Sequence, residues 1–496
     1  MKHKLFSLIL ILVLTVFFGC KKLSEKSDRQ PNFIFILVDD LGWTDPGCYG
    51  STFYETPNID RLASEGTRFT NAYAACPVCS PTRASIMTGK YPARINLTDW
   101  IPGRQEYTGP QPCDKLIPRD FELEMKLEEI TIAEALKEAG YKTFFAGKWH
   151  LGQDSIYWPE FQGFDINKGG WRVGSPQGGY FSPWVNPRLE SGPEGENLTD
   201  RLTSESVHFL ESVNDDPFLL YLSFYAVHTP LQAKEELIRK YEKKADSLGL
   251  DQMEQTVKDR NWIKTAPPGG TFVERIVQGH PVYSSMIETL DNNIGRIMDK
   301  LVELDLDEYT IIFFMSDNGG LATAEGSPTS NLPLRAGKGW LYEGGVREPM
   351  IIKWPGKSDP GKTCDVPVIS MDFYPTILEM AGLDLMPDQH MDGVSLVPLL
   401  EGEQTIDERP IFWHYPHYSN QGGKPGAAVR SGKYKLIEFF EDNRIELYDL
   451  EADIGEQNNL SDEMPDKVNE LLDILHNWQE EVDARMMDPN PEYDPD

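Results

Sequence analysis

Three apolar runs constrain this chain more than any other feature: Asn32 to Val38 (NFIFILV), Pro217 to Val227 (PFLLYLSFYAV) and Thr310 to Met315 (TIIFFM). The first is too short for a helix, and none alternates apolar with polar residues, so each predicts a strand covered on both faces. Helical stretches lie between them. Asn58 to Glu65 starts after Pro57 and stops at Gly66, and Thr131 to Ala139 ends at Gly140, ahead of a strand over Tyr141 to Ala146. Tyr283 to Leu304 carries apolar residues at three- and four-residue steps, the pattern of a long amphipathic helix. The fold class is therefore α/β, a large, mostly parallel or mixed sheet sandwiched by helices. From about Arg409 the texture changes. Ile411 to His414, Ala428 to Val429, Tyr434 to Phe440 and Arg444 to Tyr448 read as short strands, followed by a helix from about Pro465 to Val482. This is a small C-terminal α+β subdomain with an antiparallel sheet over 409–486, ahead of an acidic, Pro-containing tail over 487–496 that reads as disordered.

Ligands in such sheets bind beyond the C-terminal strand ends. That is where the polar residues fall: Asp39-Asp40 after one strand, Gly147-Lys148-Trp149-His150 after another, His228 after a third and Ser316-Asp317-Asn318-Gly319 after a fourth. Four strand ends imply one site. The 79 acidic residues against 47 Lys plus Arg give a formal charge of -32, which repels nucleic acid and excludes it as a partner. An anionic small substrate then needs a local cluster of cations or a metal.

At the N-terminus Lys2 and Lys4 precede an apolar run from Leu5 to Phe18, closed by Gly19 and Cys20. This resembles a bacterial lipoprotein signal: residues 1–19 are removed, Cys20 is lipidated, and residues 20–30 form a tether. Phe17 and Phe18 stand where such signals carry Leu and a small residue. Ordinary secretory cleavage is the alternative, and either way the protein is exported, with the lipid anchor placing it in the periplasm or at the outer membrane. Five cysteines remain, Cys48, Cys76, Cys79, Cys113 and Cys364, and the odd count marks one as special. Cys76 and Cys79 form a C-x-x-C pair, a redox or zinc half-site, but no second half-site follows. The other four permit three disulfide pairings.

Cys79-Ser80-Pro81-Thr82-Arg83, continuing Ala-Ser-Ile-Met-Thr-Gly, is the most specific string. Ser80 and Pro81 suit a helix start and Gly89 its stop, so Cys79 sits where free N–H groups favour an anion. On that physics alone Cys79 is an activated thiolate nucleophile. C-x-P-x-R followed by this helix resembles the formylglycine signature of type I sulfatases, members of the alkaline phosphatase superfamily, and the resemblance runs from Pro31 to about Trp478. It implies an alkaline phosphatase-like catalytic domain over 31–408, in which a separate maturation enzyme oxidises Cys79 to formylglycine. The hydrated aldehyde attacks sulfur with one hydroxyl, and the second expels sulfate by C–O cleavage.

The resemblance also implies a metal held by Asp39, Asp40, Asp317, Asn318 and converted Cys79. The oxygen ligands suit Ca2+ or Mg2+ and argue against zinc or copper, and calcium is the family's ion. By the same resemblance Arg83 holds the formylglycine, Lys148 and Lys338 grip sulfate oxygens, His150 bonds the gem-diol, and His228 contacts the ester oxygen as general acid. His208, on a predicted helix without such context, is left as a surface or structural residue. The implied reaction is sulfate monoester hydrolysis. A sugar hydroxyl is a poor leaving group that needs protonation, and export with a lipid tether suits imported glycans. The expected substrate is a sulfated polysaccharide or oligosaccharide, algal (ulvan or carrageenan) or glycosaminoglycan, with Trp100, Arg104, Trp171, Arg172, His414 and His417 as candidates for the sugar subsites. The rival readings are a phosphate or phosphonate ester hydrolase of the same superfamily and an inactive glycan-binding lipoprotein.

Overall fold

In the computed structural model, which describes residues 29–104, 109–258 and 273–494, strand β1 (Asn32–Val38) runs through the middle of a nine-stranded sheet. Its side chains alternate between two cores. Phe33, Phe35 and Leu37 enter one, while Ile34, Ile36 and Val38 enter the other, which is why the run has no room for a polar residue. The other strands are β2 (Thr67–Tyr73), β3 (Lys142–Gly147), β4 (Ile166–Lys168), β5 (Phe218–Ser223), β6 (Thr310–Ser316), β7 (Arg347–Lys353), β8 (Lys362–Cys364) and β9 (Val368–Ile369). They lie in the order β8-β2-β7-β6-β1-β5-β3-β4, with β9 also beside β2. Only β7 runs antiparallel to its neighbours, β2 and β6. The mixed, mostly parallel sheet follows the reading of the apolar runs.

Helices cover both faces. On one face lie α2 (Cys79–Thr88), α3 (Ile132–Glu138) and α6 (Phe373–Met380); on the other lie α1 (Pro57–Glu65), α4 (Leu198–Ser212) and α5 (Pro281–Glu303). Local chemistry sets their ends. Thr131 caps α3 through a capping box, its Oγ1 accepting from Glu134 N at 3.1 Å while its own N donates to Glu134 Oε2 at 2.8 Å. Gly89 ends α2 in the left-handed conformation.

One strand is shorter than its sequence suggests. The apolar run to Val227 leaves the ladder at Ser223, and the chain crosses over the end of β1, with Val227 N donating to Asp39 O at 2.8 Å. This bend carries His228 over the site.

A second sheet is antiparallel throughout, with β10 (Ile411–Tyr415), β11 (Gly426–Ser431), β12 (Tyr434–Phe439) and β13 (Arg444–Asp449) in sequence order. Helix α7 (Pro465–Glu481) packs on it through Leu471, Leu475 and Trp478, and Tyr73, Trp340 and Val346 of the larger unit join the same core. A buried ion cluster seals the junction: Lys435 Nζ lies 2.9 Å from Glu343 Oε1 and 3.1 Å from Glu456 Oε1, and Arg347 Nη1 lies 3.2 Å from Glu343 Oε2. Burial alone would push the Glu343 carboxyl up, but Lys435 and Arg347 outweigh it and bring it down to about 2. Burial leaves Glu456 raised to about 7.

The tail departs from expectation. Instead of being disordered, Asp488–Pro489 pairs with Leu116–Ile117, and Asn490 Nδ2 donates to the carbonyls of Gln111 and Asp114. None of the three permitted disulfide pairings is present: Cys48, Cys76, Cys113 and Cys364 are free thiols, as is Cys79. The signal segment and Cys20 lie outside the described residues. Among those residues no helix is long and apolar enough to cross a membrane.

Candidate active site

The ends of β1, β3, β5 and β6 converge, as the parallel order requires. Asp317 N donates to Val38 O at 3.0 Å and Lys148 N to Ser223 O at 2.8 Å, so neighbouring strands fix the backbones from which the site's side chains project. Gly147, at φ 107°, makes the turn into Lys148; a Cβ there would lie 1.8 Å from Ser223 O. Asp40 (φ 62°) and His150 (φ 60°) are non-glycine residues held in the left-handed region, a strain that clusters at functional sites.

Three carboxylates meet three cations. Lys148 Nζ donates to Asp39 Oδ2 at 2.7 Å; Lys338 Nζ lies 2.7 Å from Asp40 Oδ1 and 2.9 Å from Oδ2; Arg83 Nε donates to Asp317 Oδ2 at 2.8 Å. Arg83, expected to hold residue 79, also donates to Lys148 O at 2.9 Å and Ser223 Oγ at 2.7 Å, so its contacts lock the floor. Burial raises Asp39 to about 6 against the pull of Lys148. At Asp40 burial is outweighed by Lys338, His228 and Lys148, which bring it down to about 2.

With charges balanced three against three, the cluster by itself offers an anion no net attraction. A hard dication would supply it, and the donors suit one. Asp39 Oδ1 and Asn318 Oδ1 are buried without a hydrogen-bond partner, and Asn318 Nδ2 donates to Asp40 Oδ1 at 2.8 Å, which orients its own oxygen away from that bond. Asp39, Asp40 and His228 also bring ligand atoms within 4.8 Å of one another.

Cys79 opens α2 and lines a cavity of about 410 Å³. Its Sγ lies 3.5 Å from His150 Nδ1. The other ring nitrogen of His150 contacts Ile101 O, which assigns the proton to Nε2 and leaves Nδ1 an acceptor facing Cys79. Burial and then Lys148 push His150 well below the usual imidazole value, so the ring is neutral. Burial likewise pushes the Cys79 thiol up, with Lys148 and Lys338 opposing it. Thus the helix N-terminus does not make the unmodified side chain an activated thiolate. His228 Nδ1 contacts Thr229 O at 2.7 Å, and its Nε2 lies 3.7 Å from Asp40 Oδ2.

A family model described as Sulfatase matches residues 31–383, and one described as N-sulphoglucosamine sulphohydrolase, C-terminal, matches 336–484. The chain belongs to the sulfatase family. It is a sulfuric ester hydrolase of the type I group with the alkaline phosphatase-like fold. This sulfatase is 29% identical to a sulfatase of Formosa agariphila over 98% of this chain and 94% of that protein. It is 33% identical to the N-acetylgalactosamine-6-sulfatase of Canis lupus familiaris over 82% of this chain and 71% of that protein. Among solved structures, Ps i-CgsB in complex with k-i-k-neocarrahexaose superposes with a TM-score of 0.72 at 28% identity, covering 91% of this chain and 93% of that one.

The residues expected to touch sugar divide. Trp100, Trp171 and Arg172 line the cavity of this sulfatase together with Cys79, His150, His228 and Lys338. Arg104 is instead paired with Asp114 at 2.8 Å. His414 and His417 are buried in packing: His414 contacts Arg485 O and Gln479, and His417 Nε2 lies 2.8 Å from Thr98 Oγ1. Burial lowers both imidazoles, to about 4 and about 3. His208 is exposed on α4. Sequence reasoning missed Gln153, Gln177, Glu325, Asn420 and Gln421, which also line the cavity. All five lie on irregular segments, where no periodicity signals a side chain's direction.

Proposed function

We propose that this sulfatase removes sulfate from a sulfated polysaccharide or oligosaccharide, algal or glycosaminoglycan, with Cys79 converted to formylglycine as its nucleophile and Ca2+ as its metal. Mg2+ is the alternative ion. The observation that carries the reading is the floor of the cavity: Cys79 beside a neutral His150, with buried carboxylate and amide oxygens short of partners. Asp39, Asp40, Asp317 and Asn318, with converted Cys79, would hold the ion, which when bound supplies positive charge to polarise the ester and orient the nucleophile. His150 Nδ1 accepts a hydrogen bond from the hydroxyl of the converted residue. Lys338, at the cavity wall, and Lys148, beneath it, supply charge for the sulfate oxygens. Arg83 keeps the Asp317 carboxylate in place. His228 is the general acid for the departing sugar oxygen, its ring oriented by the Thr229 carbonyl. Trp100 and Trp171 supply apolar faces and Arg172 a charge for the sugar. The neocarrahexaose bound by Ps i-CgsB supports a carbohydrate.

The Lys2–Cys20 pattern supports export, with a lipid on Cys20 tethering the protein in the periplasm or at the outer membrane, and a maturation enzyme is required to convert Cys79. The test is release of inorganic sulfate from a panel of defined sulfated saccharides by enzyme whose residue 79 is verified as converted by mass spectrometry. Release from at least one member is expected. No release from any, with faster cleavage of matched phosphate esters, would move the protein to phosphoester chemistry. No turnover of either class would overturn the carbohydrate reading.

A further inference from the structure

Among the described residues lining the cavity, Glu325 is the one carboxylate. Glu325 helps to keep the Lys338 ammonium charged, but towards an anion it is a negative wall, and like charges brought together cost affinity. Glu325 is exposed at the rim, yet two hydrogen bonds hold its carboxylate. It lies beyond β6 at φ 53°, a left-handed conformation costly for a side chain with a Cβ, and Ser327 at φ 44° repeats it. Its Oε2 accepts from Thr229 Oγ1 at 3.3 Å and its Oε1 from Gln421 Nε2 at 2.5 Å. Gln421 is anchored in turn, its carbonyl accepting from Trp340 Nε1 at 2.9 Å and from Thr323 Oγ1 at 3.0 Å.

Position decides the role. Thr229 directly follows His228, so its partner Glu325 sits on the side of the cavity where the alcohol departs. A fixed carboxylate is an acceptor only, and sugar hydroxyls are donors.

We infer that Glu325 is a specificity-determining residue that accepts a hydrogen bond from a free hydroxyl next to the scissile ester and repels a second sulfate or a carboxylate at that position. This deepens the carbohydrate sulfatase reading and rests on it. The preferred substrate is a sugar residue carrying one sulfate with an unmodified neighbouring hydroxyl, and vicinally disulfated sugars are rejected.

The experiment measures binding, so that it is read whether or not turnover occurs. Matched monosulfated and vicinally disulfated saccharides are titrated calorimetrically against the Cys79→Ala protein, alone and combined with Glu325→Gln or Glu325→Asp. The monosulfated sugar should bind tighter by roughly tenfold or more, Gln should bring the two within about twofold, and Asp should keep the preference. An unchanged ratio in the Gln protein, or binding of neither sugar at millimolar concentration, overturns the inference. Failure of the functional reading shows separately, as absence of sulfate release by the converted wild type across the saccharide panel.

Discussion

Asp40 and Glu343 are fully buried carboxylates, each paired with a lysine and each brought down to about 2, yet the clusters around them are built to different ends. Around Glu343 the charges close on one another across the junction of two sheets, with Lys435 at 0% side-chain exposure bridging Glu343 and Glu456. Around Asp40 the Asp39 and Asn318 oxygens lack hydrogen-bond partners, as Glu456 Oε1 does in the other cluster, but here Lys338 carries the network to the wall of a cavity. A network enclosed between two sheets fixes them in one arrangement; one that adjoins a cavity is open to a ligand. The same residue types serve both, and the difference lies in what they adjoin.

Substitutions should separate the two clusters. The largest effect belongs to Cys79→Ala, which should lower sulfate release by roughly 10⁴-fold or more while leaving the melting temperature close to wild type, measured by sulfate assay and calorimetry. Lys338→Met should reduce kcat by about 10²- to 10³-fold, because in the proposed function Lys338 supplies charge for the sulfate. Lys435→Met should do the reverse: taking the buried cation from between Glu343 and Glu456 should cost about 3–5 kcal/mol in denaturant unfolding, with kcat per folded molecule within about twofold of wild type. If Lys435→Met lost turnover as Lys338→Met does at equal stability, the distinction between the clusters would fall.

A smaller effect concerns pH. Glu456 is raised to about 7 in the folded protein from an ordinary carboxyl value near 4.5, so its protonated form is favoured by folding. The stability this contributes is complete below about pH 4.5 and is lost as pH rises through about 7. Glu456→Gln should remove this slope, shifting the melting temperature relative to wild type by roughly 2 °C between pH 5 and 8 in matched thermal scans. Smallest of all, the melting temperature of the wild type should be the same in reducing and non-reducing buffer, because Cys364 and the other described thiols have no disulfide partner.

Much of this was legible in the sequence. A run such as NFIFILV has one physical outcome, because every second side chain must find a different core, and the residues at the ends of such strands converge by topology. The four C-terminal strands were legible because turn residues punctuate them. His414 turns into packing because a strand pattern does not say which face a histidine takes, and His417, in the irregular segment beyond that strand, is buried with no periodicity to signal it. The pairing of Asp488–Pro489 with Leu116–Ile117 is too short to leave a periodic trace. Glu325 and Gln421 escaped notice because loops position them through long-range bonds, at a sequence separation of 96 residues.

Gln421 and Asn420 come from the connection between β10 and β11, so the smaller sheet supplies part of the rim around a reaction centre that otherwise belongs to the larger one. Part of the rim is thereby written on a stretch of polypeptide separate from the floor. A lineage can lengthen or rewrite that hairpin connection and reshape the cavity mouth without disturbing the strand ends beneath it.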